Sequence, residues 1–132
     1  MVAKKPPPHV PPGFNAVTPY LLTNDPTRLS AFVKAAFGAE DADEPYSDKD
    51  GLVHAVLRVE GCTVEIGRAS GAWKPLVAGI HLYVADVDAT YARALAAGGK
   101  SLHEVRAMDY GERAAALEDP SGNHWYVATH TS

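Results

Sequence analysis

Side chains able to do acid, base or stacking chemistry recur at alternate positions of short apolar runs along this 132-residue chain. The run "GIHLYVAD" sets His81 and Tyr83 between Ile80, Leu82 and Val84, and "NHWYVAT" sets His124 and Tyr126 against Trp125 and Val127. Upstream, Thr18 and Tyr20 alternate with Val17, Pro19 and Leu21, His54 and Arg58 with Val53, Ala55, Leu57 and Val59, and Glu65 with Val64 and Ile66. Neighbouring residues of a strand point to opposite faces. Each run therefore offers an apolar face to a core and turns its polar or aromatic members the other way. An imidazole exchanges protons near neutral pH, a carboxylate acts as a base or pairs with a cation, and a phenol ring stacks on a planar group. His81, Glu65 and Tyr126 are the candidates for proton transfer, with His81 as base and Tyr126 as acid. A face with this content is too polar for a second core and too aromatic for plain surface. Curled into a groove, it has the profile of a small-molecule site, the alternative being mutual satisfaction of these groups across a dimer contact.

The elements that must position these residues are legible as a repeat. At an offset of 61, Leu21 meets Leu82, Asp25 meets Asp86, Gly38 meets Gly99 and Gly61 meets Gly122. Each aspartate is placed to cap a helix. In "NDPTRLSAFVKAAFG", Asp25 precedes Pro26 at the first helical position and Gly38 closes the end. Leu29, Phe32, Val33, Ala36 and Phe37 form its apolar stripe, and Val87, Tyr91, Ala94 and Leu95 form the matching one. Strands are expected over 17–23, 52–59, 62–67, 79–85, 100–105, 112–118 and 123–128, with a weak one around 41–46. Glu60-Gly61 and "DPSG" supply turns. The fold class is α+β, with two βαβββ modules, about 14–70 and 76–130, forming a curled mixed sheet with a concave groove. A flexible proline-rich arm over 1–13, with a PxxP spacing from Pro8 to Pro11, precedes a single domain over 14–132.

Composition removes several function classes. A net charge of −4 without a dense Lys/Arg block argues against a nucleic-acid partner. No apolar run approaches the roughly 20 residues of a membrane span, and the N-terminus lacks a signal-peptide core, so a cytoplasmic protein is expected. The single cysteine, Cys62, forms no internal disulfide and is expected to be a small buried hydrophobe. Ser101, Ser121 and Cys62 lack an activating motif for nucleophilic catalysis. In "MDYGERAAALEDP", Arg113 either reaches a ligand anion or pairs with Glu112 or Asp109 at the surface, the second being the expected fate.

The two Asp-led helices, the strand order and the closing "DPSGNHWYVATH" resemble the vicinal oxygen chelate superfamily, the glyoxalase, bleomycin resistance and dioxygenase fold. "VTPYLL" and "YGERAAALEDPSGNHWYVATH" are similar to its PhnB-like branch. The resemblance spans about 14–130. It implies metal ligands seven residues before each helix-capping Asp and four after each hairpin Gly, which here are Thr18, Glu65, Gly79 and Tyr126. Only Glu65 is a competent ligand, and one carboxylate does not hold a divalent ion. A displaced site using His81 with His124 or His54 is the lesser expectation. The resemblance thus implies a metal-independent homodimer without cofactor that binds a small molecule through Thr18, Tyr20, His54, Arg58, Glu65, His81, Tyr83, His124 and Tyr126. The alternative is a glyoxalase-like isomerase, lyase or dioxygenase, with a relocated metal or His-based proton transfer.

Overall fold

In a computed structural model the described residues are 9–131. Module one runs β1 (Tyr20–Thr23), α1 (Pro26–Phe37), β2 (Glu40–Asp41), β3 (Tyr46–Asp48), β4 (Gly51–Val59) and β5 (Cys62–Arg68). Module two runs β6 (Gly79–Tyr83), α2 (Val87–Ala96), β7 (Lys100–Met108), β8 (Glu112–Glu118) and β9 (His124–His130). The α+β architecture of two related modules is as the repeat implies. Their sheets are separate, β1-β5-β4-β2 with β3 beside β4, and β6-β9-β8-β7.

The repeat keeps its register across the parallel ladders, and is one residue out between the antiparallel pairs β4–β5 and β8–β9. Tyr20 pairs with Glu65 across the parallel β1–β5 ladder, and His81 pairs with Tyr126 across β6–β9, each 61 residues on. Both helices start as their sequences dictate, with the Asp25 carboxylate accepting from the Arg28 amide and Asp86 from the Ala89 amide. Gly38 ends α1 in the left-handed conformation, whereas α2 ends at Ala97 in a right-handed one. Glu60 and Gly61 both take positive φ, the type I′ pattern whose twist suits a two-residue hairpin.

Three expectations need correction. The first strand is shorter than 17–23, because Pro19 brings no amide to a ladder and the Thr18 hydroxyl instead donates to the Asn15 carbonyl. The α2 stripe buries Val87 and Ala94 and packs Tyr91 against the core as expected, but Thr90 is buried beside them while Leu95 is exposed. Cys62 is exposed, because it follows the hairpin turn at the rim of the sheet. The weak strand resolves into the short β2 and β3. Of the arm, residues 1–8 lie outside the described residues, Pro8 of the PxxP spacing among them. Its end is docked, the Thr63 hydroxyl donating to the Gly13 carbonyl.

The helices lie on the inner faces of the two sheets, and one core runs through both modules. Phe37 at the end of α1 packs on Trp125 of β9 with ring centroids 4.5 Å apart. Trp125 is held there by Asp119, a carboxylate only 3% exposed. Asp119 Oδ2 accepts from Trp125 Nε1 at 2.8 Å and Asn123 Nδ2 at 2.9 Å, and Oδ1 from the amides of Ser121 and Asn123. Asn123 Oδ1 then accepts from the Ala78 amide, which seats the inter-module linker on β9. The Ser121 hydroxyl meets that of Thr23 at 2.8 Å and ties the turn to module one.

Removing that carboxylate strands several buried donors at once. Asp119→Ala is expected to cost about 3 kcal/mol or more, since each unsatisfied buried group costs about 1–3 kcal/mol; equilibrium urea unfolding measures it, with the near-UV signal of Trp125 lost in the same transition.

Candidate functional site

The outer face of module one carries Tyr20 from β1, Glu65 from β5, and His54 and Arg58 from β4. His54 Nε2 donates to Glu65 Oε1 at 2.9 Å, and its ring lies 5.8 Å from that of Tyr20. Gly67 makes room for this arrangement: a Cβ there would stand 2.4 Å from the Tyr20 hydroxyl. Tyr20 stays half exposed over this floor. Arg58 lies at the other end of the face beside the docked arm, where a Cβ on Gly13 would approach its guanidinium to 2.7 Å.

Module two arranges its face differently. His81 and Tyr83 extend from β6 with ring centroids 4.6 Å apart, and His124 and Tyr126 from β9 with centroids 6.4 Å apart. The neighbouring positions on β8 and β9 are Ala114, Ala116 and Ala128, all buried. These small side chains let Glu112 lie down against the sheet, 8% exposed, with Oε1 3.8 Å from His81 Nε2. The Glu112 charge, and burial after it, hold the Tyr83 hydroxyl above the usual tyrosine range. His124 has its own carboxylate, Glu118, at 3.4 Å. Each histidine of both faces therefore stands beside an acid.

Glu112 was not among the residues expected from sequence. It opens the expected strand 112–118 beside Asp109, Tyr110 and Arg113 and reads there as a surface partner for Arg113. The usable signal is its parity with Ala114 and Ala116 on β8, which puts it on the same face as His81 and Tyr83. Arg113 faces the opposite way and forks onto Asp88 of α2 at 2.8 and 2.9 Å, so its partner is neither Glu112 nor Asp109.

The two clusters sit on separate sheets. Among the described residues, no ring contact, ion pair or hydrogen bond links Tyr20, His54 or Glu65 to His81, Tyr83, His124 or Tyr126. Between the sheets, a cavity of about 390 Å³ lies where Val17 and Pro19 face Ile80 to Tyr83. The positions that the fold assigns to metal ligands do not fit one. Thr18 spends its hydroxyl on Asn15, Glu65 is engaged by His54, Gly79 has no side chain, and Tyr126 lies on the other sheet. No group of three or more His, Cys, Asp or Glu side chains converges among the described residues.

A proton bound more tightly by Tyr83 in the folded chain stabilises the fold below the ordinary tyrosine range, and this contribution is lost as pH rises through the raised value. Glu112→Gln is expected to bring the Tyr83 phenol back toward its ordinary value. The check is an alkaline absorbance titration of the parent and the variant, each against its Tyr83→Phe counterpart.

Comparison with known proteins agrees with this geometry. Residues 13–127 match the family model described as the glyoxalase/bleomycin resistance protein/dioxygenase superfamily. Uncharacterized proteins from Mycobacterium bovis and Mycobacterium tuberculosis H37Rv are each 32% identical over 121 residues, covering 83% of this chain and 80% and 71% of theirs. Among solved structures, TioX from Micromonospora sp. ML1 superposes with a TM-score of 0.75 at 23% identity, covering 88% of this chain and 98% of TioX. A glyoxalase-related enzyme from Fulvimarina pelagi gives 0.70 at 17%, covering 88% of each chain. With the duplicated module, its register and the family match in agreement, this chain belongs to the glyoxalase/bleomycin resistance protein/dioxygenase superfamily.

Proposed function

We propose that the chain is a metal-independent small-molecule-binding protein that works as a homodimer, its ligand held against the outer sheet faces. The observation that carries this reading is that both faces present exposed rings already braced by neighbours. Tyr20 rests on the His54–Glu65 pair, and Tyr83 packs on His81, which stands beside the buried Glu112. Rings ordered before binding lose little entropy when a ligand replaces water. Within the superfamily this resembles the members that sequester drugs. The "YGERAAALEDPSGNHWYVATH" stretch favours the PhnB-like branch, and the exposed single thiol of Cys62 suits a reducing cytoplasm.

An open edge supports the dimer. β6 is paired only on its β9 side, and Val17 beside it is 86% exposed. An open edge with apolar neighbours is what a second chain covers. In the dimer we propose, one chain's Tyr20, His54 and Glu65 stand opposite the other chain's His81, Tyr83 and Tyr126, the groove that one chain lacks.

One observation favours a second reading. His81 has Glu112 behind it, as a general base has its orienting acid, and Tyr126 neighbours it across the ladder. In that reading the site transfers a proton without a metal, with His81 as base.

Light scattering on eluting protein is expected to give twice the 14.0 kDa chain mass, and elemental analysis of chelator-free protein, before and after soaking with zinc, manganese and nickel, is expected to give well under one ion per chain. A stoichiometric, tightly held metal overturns the metal-independent reading, and a monomer overturns the shared groove.

A further inference from the structure

The linker between the modules, "SGAWKPLVAG", carries the two large side chains Trp73 and Leu76, which are 74% and 67% exposed. Exposure of this kind normally marks a loose loop, but this one is built. Ser70 and Trp73 exchange both backbone hydrogen bonds, at 3.0 and 2.9 Å, and the Leu76 amide donates to the Leu22 carbonyl on the open side of β1. At the far end Ala78 is bonded to Asn123 and His124. The linker is thus laid along β1 and holds Trp73 and Leu76 above the outer face of module one.

Between them and the sheet is a cavity of about 490 Å³ lined by Tyr20, Leu22, Arg68, Trp73 and Leu76. That volume lies in the range of about 300–1,000 Å³ that holds small ligands. Its chemistry is narrow. Two aromatic rings and two leucines supply stacking and apolar area. Arg68 is the single charged group of the wall, and its guanidinium already forks onto Asp48, with Nη1 3.0 Å from Oδ1 and Nη2 on the other oxygen. A paired guanidinium leaves no net charge to attract an ionic ligand, and an ion would lose its water shell against the leucines without recompense.

We infer that this cavity is a binding site for a flat, uncharged aromatic molecule, stacked between Trp73 and Tyr20 with its edges against Leu22 and Leu76. This rests on the reading of the outer faces as ligand-binding and adds the linker, with Trp73, to what that reading assigned. Gly67 is part of the device: it lets Tyr20 lie flat on β5, and a methyl group there forces the ring off its seat.

The chain contains two tryptophans, in opposite situations. Trp125 is fully buried with its indole N–H on Asp119, and Trp73 is exposed. Their two indole N–H signals in a proton–nitrogen correlation spectrum therefore separate the site from the core. Titrating the ¹⁵N-labelled protein with naphthalene-2-carboxamide is expected to shift the Trp73 signal to saturation and leave Trp125 in place. Naphthalene-2-carboxylate and 2-(aminomethyl)naphthalene are expected to bind at least tenfold more weakly. Tyr20→Ala and Gly67→Ala are each expected to weaken the carboxamide at least tenfold, with the Trp125 signal confirming that the variants are folded. A Trp73 signal that does not move, or moves equally with all three probes, overturns the site. So does a Trp73 signal already shielded at high protein concentration and released on dilution, which makes the surface a contact between two copies. If Trp73 is silent while the Tyr83 and Tyr126 amides respond, only this cavity fails; silence on both faces overturns the broader ligand-binding reading as well.

Discussion

A single buried carboxylate organises this protein. Asp119 is almost fully removed from water, and a charge in that position is tolerable only because every lobe of it is met by a donor. The donors come from the turn it begins, from Asn123 and from Trp125, so one group shapes the turn, starts β9 and fixes the largest core side chain. Through Trp125 it reaches Phe37 and the other module. Through Asn123 it reaches Ala78 and the linker, and through Ser121 it reaches Thr23. The relative placement of the two sheets and the course of the linker both pass through this one acid.

On that frame the sheets divide their labour by parity. Leu21, Ile66, Leu82 and Val127 face the helices and are buried, while Tyr20, Glu65, His81 and Tyr126, one residue away on the same strands, face outward. The outer faces differ in how they hold their rings. Module one uses a glycine, Gly67, to lay a tyrosine flat. Module two uses alanines to sink a glutamate beneath a histidine and a tyrosine. Both devices remove a side chain so that a neighbour can take a fixed position.

What was legible in the sequence was local. Asp25 and Asp86 announce the helices because capping needs only the next three residues, and strand parity needs only alternation. That Tyr20 and Glu65 lie on one face of their strands, as His81 and Tyr126 do on theirs, was visible in that alternation, whereas the pairing that sets them side by side was not. Glu112 was missed because its burial depends, beyond the adjacent Ala114, on Ala128 and on rings arriving from β6, which are distant in sequence. The Asp88 partner of Arg113 lies 25 residues away on a helix. Trp73 and Leu76 belong to a stretch with no period, and what makes that stretch a wall is a backbone bond from Leu76 to Leu22. Cys62 read as buried because its strand is buried, though it occupies the strand's rim.

The duplication is unequal on the two sides of the pleat. Of the positions matched by the repeat, Leu21 with Leu82 and Ile66 with Val127 are alike on the inner side of the pleat, where only Val64 against Trp125 differs much in size, while Tyr20 against His81, Leu22 against Tyr83 and Glu65 against Tyr126 differ in chemistry on the outer side. A freshly doubled unit offers two identical walls and greets a guest the same way from either end. The two walls of this chain are not alike, so anything lodged between one wall of each kind has a head and a tail.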